Sequence, residues 1–176
     1  MVKQVLCAGL VCGLGLAVNV ALAHDGSSEW GDIMLGQQGT AQHADLDPFK
    51  GTFTVTVRNS GTAPWGDFHF GFFDPMGNQN LSNLDFIDGS VVGGQDPWST
   101  QSPMTWSIAP NGSTIDLKFY GDPVLAGQGA TFQVYTKNAD HLSIFGLCFW
   151  PTPVPEPGTM GLLALGGLAL RRRRKH

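Results

Sequence analysis

The chain has 176 residues and a formal net charge of −4, from 10 Lys and Arg against 14 Asp and Glu. That length suits one main domain with a real core. An acidic balance excludes a general DNA- or phosphate-binding body, and three Cys exclude a disulfide-dense scaffold.

At the N-terminus, Lys3 precedes an apolar run from Val5 to Leu22 that closes on Ala21-Leu22-Ala23. A charged start, an apolar helix and small residues at Ala21 and Ala23 predict a signal peptide over 1–23. Sec export and cleavage by signal peptidase would leave His24 as the new end. Cys7 and Cys12 would leave with it, so Cys148 reads as a small buried hydrophobe with no partner in the exported body. Without its two ends the body holds Lys50, Arg58, Lys118 and Lys137 against thirteen acids, a net of −9.

Residues 24–150 form the expected ectodomain. Twelve of its acids are Asp and one is Glu, which favours turns over helix interiors. Period-two runs recur along it. Phe53, Val55 and Val57 alternate with Thr52, Thr54, Thr56 and Arg58. Phe68, Phe70 and Phe72 share one face, which leaves His69 on the other as a solvated imidazole. Met104, Trp106 and Ile108 alternate, as do Ile115, Leu117 and Phe119, with an Asn111-Gly112 hairpin between them. Phe132 and Val134 follow, and Ile144 to Trp150 is apolar on both faces, as in a central strand. Asp32 to Leu35, Leu84 to Ile87 and Ser90 to Val92 are shorter candidates. Gln37 to Asp47 and Gly77 to Asn83 are expected loops. The fold class is therefore all-β, an antiparallel sandwich of about seven to nine strands, the jelly roll among its forms.

The body carries no nucleophile elbow, zinc-protease helix or phosphate-binding loop. Its many Asp permit a secreted glycoside hydrolase, but no spacing singles out a facing pair of carboxylates. Asp45 and Asp47 could offer oxygens to Ca²⁺. An Asx turn before Pro48 explains them as well. Trp30, Trp65 and Trp98 lie in Gly- or Pro-flanked contexts and could stack on sugar rings as a carbohydrate-binding module. Loop Trp also caps sandwich ends. Trp106 and Trp150 fall in strand patterns and read as core.

The tail changes character at Pro151. Pro at 151, 153, 155 and 157 makes 151–157 a stiff, extended spacer. Residues 158–170 are apolar and predict a short transmembrane helix of about 20 Å, less than the roughly 30 Å hydrocarbon core. Arg171, Arg172, Arg173, Arg174 and Lys175 within 171–176 form a basic cytoplasmic stop. A nucleic-acid role for this cluster conflicts with the export signal at the other end.

Val154, Pro155, Glu156 and Pro157, the apolar run and the basic stop resemble, in that order, the PEP-CTERM sorting signal of Gram-negative surface proteins. The resemblance implies an exosortase partner, transient holding in the inner membrane, and display at the cell surface or in an exopolysaccharide matrix. It implies Glu156 as the position the processing enzyme reads. A non-enzymatic structural or adhesive role is the leading expectation. A carbohydrate-binding module using loop Trp and a secreted hydrolase are the alternatives.

Overall fold

The computed structural model describes residues 27–45 and 48–154, with the backbone alone for 27–30. Among the described residues, ten strands fall in two sheets. In chain order they are β1 (Ser27–Ile33), β2 (Gly39–His43), β3 (Lys50–Asn59), β4 (Trp65–Phe73), β5 (Leu84–Ile87), β6 (Trp98–Ser99), β7 (Thr105–Ile108), β8 (Thr114–Lys118), β9 (Gly129–Asn138) and β10 (Phe145–Pro153). Sheet I has the order β1-β3-β9-β5, with β6 also pairing β9 further along. Sheet II has the order β2-β10-β4-β8-β7. No helix among the described residues is long and apolar enough to cross a membrane. The expected signal helix and tail helix lie outside the described residues.

The alternating runs do what their chemistry dictates. A period of two sends every second side chain to one face. Phe53, Val55 and Val57 of β3 and Phe132 and Val134 of β9 are buried, and so are Phe68, Phe70 and Phe72 of β4. The sheets meet through these rings. Phe68 stacks on Phe132 at 4.2 Å, Phe72 stacks on Phe86 at 4.1 Å, and Phe53 meets Phe70 edge-on at 6.1 Å. Each buried Phe contributes about 1.5–3 kcal/mol of apolar transfer. The body is thus all-β and sandwich-like, with an aromatic seam between two layers.

Three expectations need correction. The arrangement is not wholly antiparallel, because β1 runs parallel to β3. β1 and β3 are joined by a chain that crosses to the other sheet as β2, so β1 can return in the same direction. Gln37 to Asp47 is not all loop, because β2 pairs along β10. Its inward residues are Gly39, Ala41 and His43, too small or too polar to show an apolar alternation. A Cβ on Gly39 would sit 2.1 Å from the Phe149 ring, so glycine lets that ring lie flat on the strand. Ser90 to Val92 is a turn instead of a strand. Asp88 Oδ1 accepts from Ser90 N at 3.0 Å and from Ser90 Oγ at 2.5 Å, which bends the chain there. Cys148 is buried, 1 % exposed, with its sulfur 3.4 Å from Gly71 O. It alternates with the inward Leu147 and Phe149, so its sulfur is on the outward side of β10.

Candidate functional site: the root of the tail

The sequence features that speak most clearly of function lie at the C-terminus, so the end of β10 is where the fold meets them. β10 is flanked by β2 over Phe145–Phe149 and by β4 over Gly146–Pro153. Phe145, Leu147 and Phe149 point into the core and are fully buried. Cys148, Trp150 and Thr152 point outward.

β10 does not stop at Trp150 but runs through Pro151 and Thr152 to Pro153. Proline in a central strand normally costs a ladder hydrogen bond. Here the geometry removes that cost. Val154 N donates to Pro64 O at 3.3 Å, on the β4 side. Backbone groups alternate along a strand, so the nitrogens of Pro151 and Pro153 face the β2 side, where β2 has already ended at Gly39. The open edge therefore offers carbonyls but no N–H donor, a form that discourages pairing with another strand.

Several side chains tie this strand end down. Thr152 is directly opposite Asp67, and Pro153 pairs Trp65 across a register shift. His69 Nδ1 is 2.7 Å from Asp116 Oδ1, and His69 Nε2 is 3.1 Å from Thr152 Oγ1. An ionised carboxylate only accepts, so the ring donates from Nδ1; in the neutral imidazole Nε2 accepts the Thr152 hydroxyl. Trp150 stacks on the same imidazole at 5.4 Å. His69 is thus a half-buried bridge joining β8, β4 and β10, not the solvated ring its position suggested.

Tyr120 Oη donates to Asp67 Oδ2 at 2.8 Å, and its pKa is pushed up to about 12 by burial and then by that carboxylate. Gly66 fits beneath, since a Cβ there would lie 2.5 Å from the Tyr120 ring and 3.1 Å from Val154 Cα.

The order carboxylate, imidazole, hydroxyl is also that of an acyl-transfer relay. Electrostatics argue for a tie instead. The anionic tetrahedral intermediate formed by attack of Thr152 would lie near Asp67, directly opposite across the strand pair. Relays of that kind need donors at the oxyanion, not a carboxylate.

The remaining expected site residues scatter. Trp65 is 0 % exposed and closes the core beneath the exit of β10, so it can touch no ligand. It follows Pro64, which made it read as loop, yet its backbone pairs Val124 through two 3.1 Å bonds. Trp98 is 52 % exposed on β6, and Trp30 lies in β1. The three do not form one platform. Trp106 and Trp150 are not core: Trp106 lies on the edge strand β7 and is 36 % exposed, while Trp150 faces outward.

Asp45 is turned inward. It takes a hydrogen bond from His43 Nε2 at 2.8 Å, and Thr136 Oγ1 is 3.0 Å from both its oxygens. The Asp45 side chain is buried, and Asp47 lies outside the described residues. Among the described residues no group of three or more His, Cys, Asp or Glu gathers as metal ligands. Ala21 and Ala23, Pro155, Glu156 and Pro157, and Arg171 to Lys175 are also outside the described residues.

Comparison with known proteins decides the tail. Residues 153–175 match the PEP-CTERM protein-sorting motif family. The tail is a PEP-CTERM sorting signal. It implies export, transient holding at the membrane and processing by an exosortase. No curated protein and no solved structure matches the chain. The matched segment starts at the last residue of β10, so the signal is joined to a central strand without a linker. Glu156 is two residues beyond Val154, about 7 Å at full extension.

Proposed function

We propose that this chain is an exported structural or adhesive protein of the cell surface or exopolysaccharide matrix, with no catalytic role of its own. Sec and signal peptidase deliver the body, residues 158–175 hold it briefly in the inner membrane, and an exosortase releases it. The observation that carries this reading is the sorting motif at 153–175, set directly on β10, an interior strand of sheet II. An aromatic seam and a tied-down exit make the body a stiff carrier that can meet a membrane enzyme at close range.

The hydrolase alternative needs two available carboxylates facing each other. The two outward Asp on β4 and β8, Asp67 and Asp116, are instead bound to Tyr120 and His69.

The test is fractionation of native cells carrying Glu156→Ala, beside cells lacking the exosortase. Wild-type protein should be found at the surface or in the medium, and both altered strains should hold it in the inner membrane. Equal surface display in all three would defeat the proposal.

A further inference from the structure

The outward face of sheet I is unlike the rest of this acidic body. Lys50, Lys137 and Asp85 share one cross-strand row at one end of it. Arg58 and Asp32 form a two-point ion pair at the other, 2.7 Å at each contact. Between those ends every outward side chain on β3, β9 and β6 is uncharged. Thr54, Gln133 and Trp98 stand in one row. Thr56 and Thr131 stand in the next, and Tyr135 is on the other side.

The face is ordered by its own bonds. Gln133 Nε2 donates to Thr54 Oγ1 at 3.3 Å, and the Thr56 and Thr131 hydroxyls bond each other at 2.9 Å. Ser99 is buried toward Phe132, which forces its neighbour Trp98 outward. A wall rises along one side. The chain from Asp88 to Pro97 leaves β5, and Lys50 Nζ donates to Val92 O, so this loop spans from the edge of the sheet back to β3. The loop is pinned from within by Asp88 on Ser90 and by Gly89 N on Asp96 Oδ1 at 2.9 Å. The open floor is about 10 Å wide and 14 Å long by strand spacing and rise.

A large exposed indole beside a hydroxyl- and amide-bearing floor suits a ligand with an apolar ring face and equatorial hydroxyls. The central rows of β3, β9 and β6 carry no charged side chain, so stacking and hydrogen bonding would hold a ligand there. We infer that the outward face of sheet I, with Trp98 as stacking surface and Gln133 and Thr54 as hydrogen-bonding partners, binds a neutral oligosaccharide of two or three pyranose units. The site is distinct from the root of the tail and does not depend on how the tail is processed.

The experiment is titration of the full-length chain, held in detergent, with neutral hexaoses of glucose, xylose and mannose, and with an acidic uronate hexaose. At least one neutral sugar should bind, and the uronate should bind more weakly or not at all. Trp98→Ala should lower affinity at least ~10-fold and Gln133→Ala by several-fold, since tenfold needs only the loss of one good contact. Trp150→Ala, on the outward face of sheet II, should leave binding unchanged. Circular dichroism confirms that each variant is folded, and Gln133→Ala stands in should Trp98→Ala fail to fold. Failure of every neutral sugar, undiminished binding in both sheet I variants, or preference for the uronate would overturn the inference.

Discussion

The two outward faces of the body differ in what their side chains are bound to. On sheet II, Asp67, His69, Asp116, Trp150 and Thr152 are engaged with one another and with Tyr120, and they hold the strand that becomes the sorting signal. On sheet I, the central rows are neutral, mutually hydrogen bonded and partly exposed. The same core serves both. One face is spent on fixing the tail, and the other remains open to a ligand. Position in the chain explains the split, since the only strand that continues into the tail lies in sheet II.

The largest effect should come from damage to the shared core, which does not distinguish the faces. Phe68 stacks on Phe132 and is fully buried, so Phe68→Ala should cost about 3–5 kcal/mol in chemical denaturation. A loss under about 1 kcal/mol would mean that the two sheets are not packed as described.

His69→Ala separates the faces. It removes two side-chain bonds and the stack on Trp150, and should cost about 1–3 kcal/mol. Its sharper signature is local. Protease cleavage near Pro153-Val154 should speed up, while hydrogen exchange of β3 and β9 in sheet I stays as in wild type. Uniform loosening of both sheets would contradict the assignment of His69 to the tail root.

Acid should loosen the wall of sheet I. Asp88 has a pKa lowered below 3.8, chiefly by the Ser90 hydroxyl, with help from Ser90 N and the Trp106 indole. A lowered folded-state pKa gives stability that is present above about 3.8 and lost as pH falls through the folded value. Exchange protection over 89–94 should therefore decline below pH 4, and Asp88→Asn should abolish that dependence. A loop indifferent to acid would show that Asp88 does not hold it.

The smallest effect is expected at Trp98. With half its surface in water, Trp98→Ala should change stability by less than about 0.5 kcal/mol. A larger loss in a melting curve would make Trp98 a structural residue and weaken its reading as a ligand surface.

Much of this was legible in the chain. β3, β4, β8 and β9 were visible because large apolar residues alternate with Thr, His or Asp, and β10 because it is apolar on both faces. The sorting signal was legible because proline, lipid-compatible residues and arginine each have a distinct physical role. β2 was hidden because Gly39 and His43 fill inward positions through tight approach and a buried hydrogen bond to Asp45. β6, only two residues long, has no period to detect. Trp65 and Trp106 exchanged their expected places for a related reason. Burial of an indole depends on whether its strand lies under another, and flanking Gly or Pro does not report that. The network on His69 joins residues from three distant segments, so no local pattern announces it.

The central claim is that the fold ends at the foot of a sorting signal which is removed after export. The most direct measurement is the intact mass of the protein recovered from the surface of native cells. The mass should fit a chain that starts at His24 and ends beyond Val154 without residues 158–175. A surface form that still carries Arg171 to Lys175 would contradict the account.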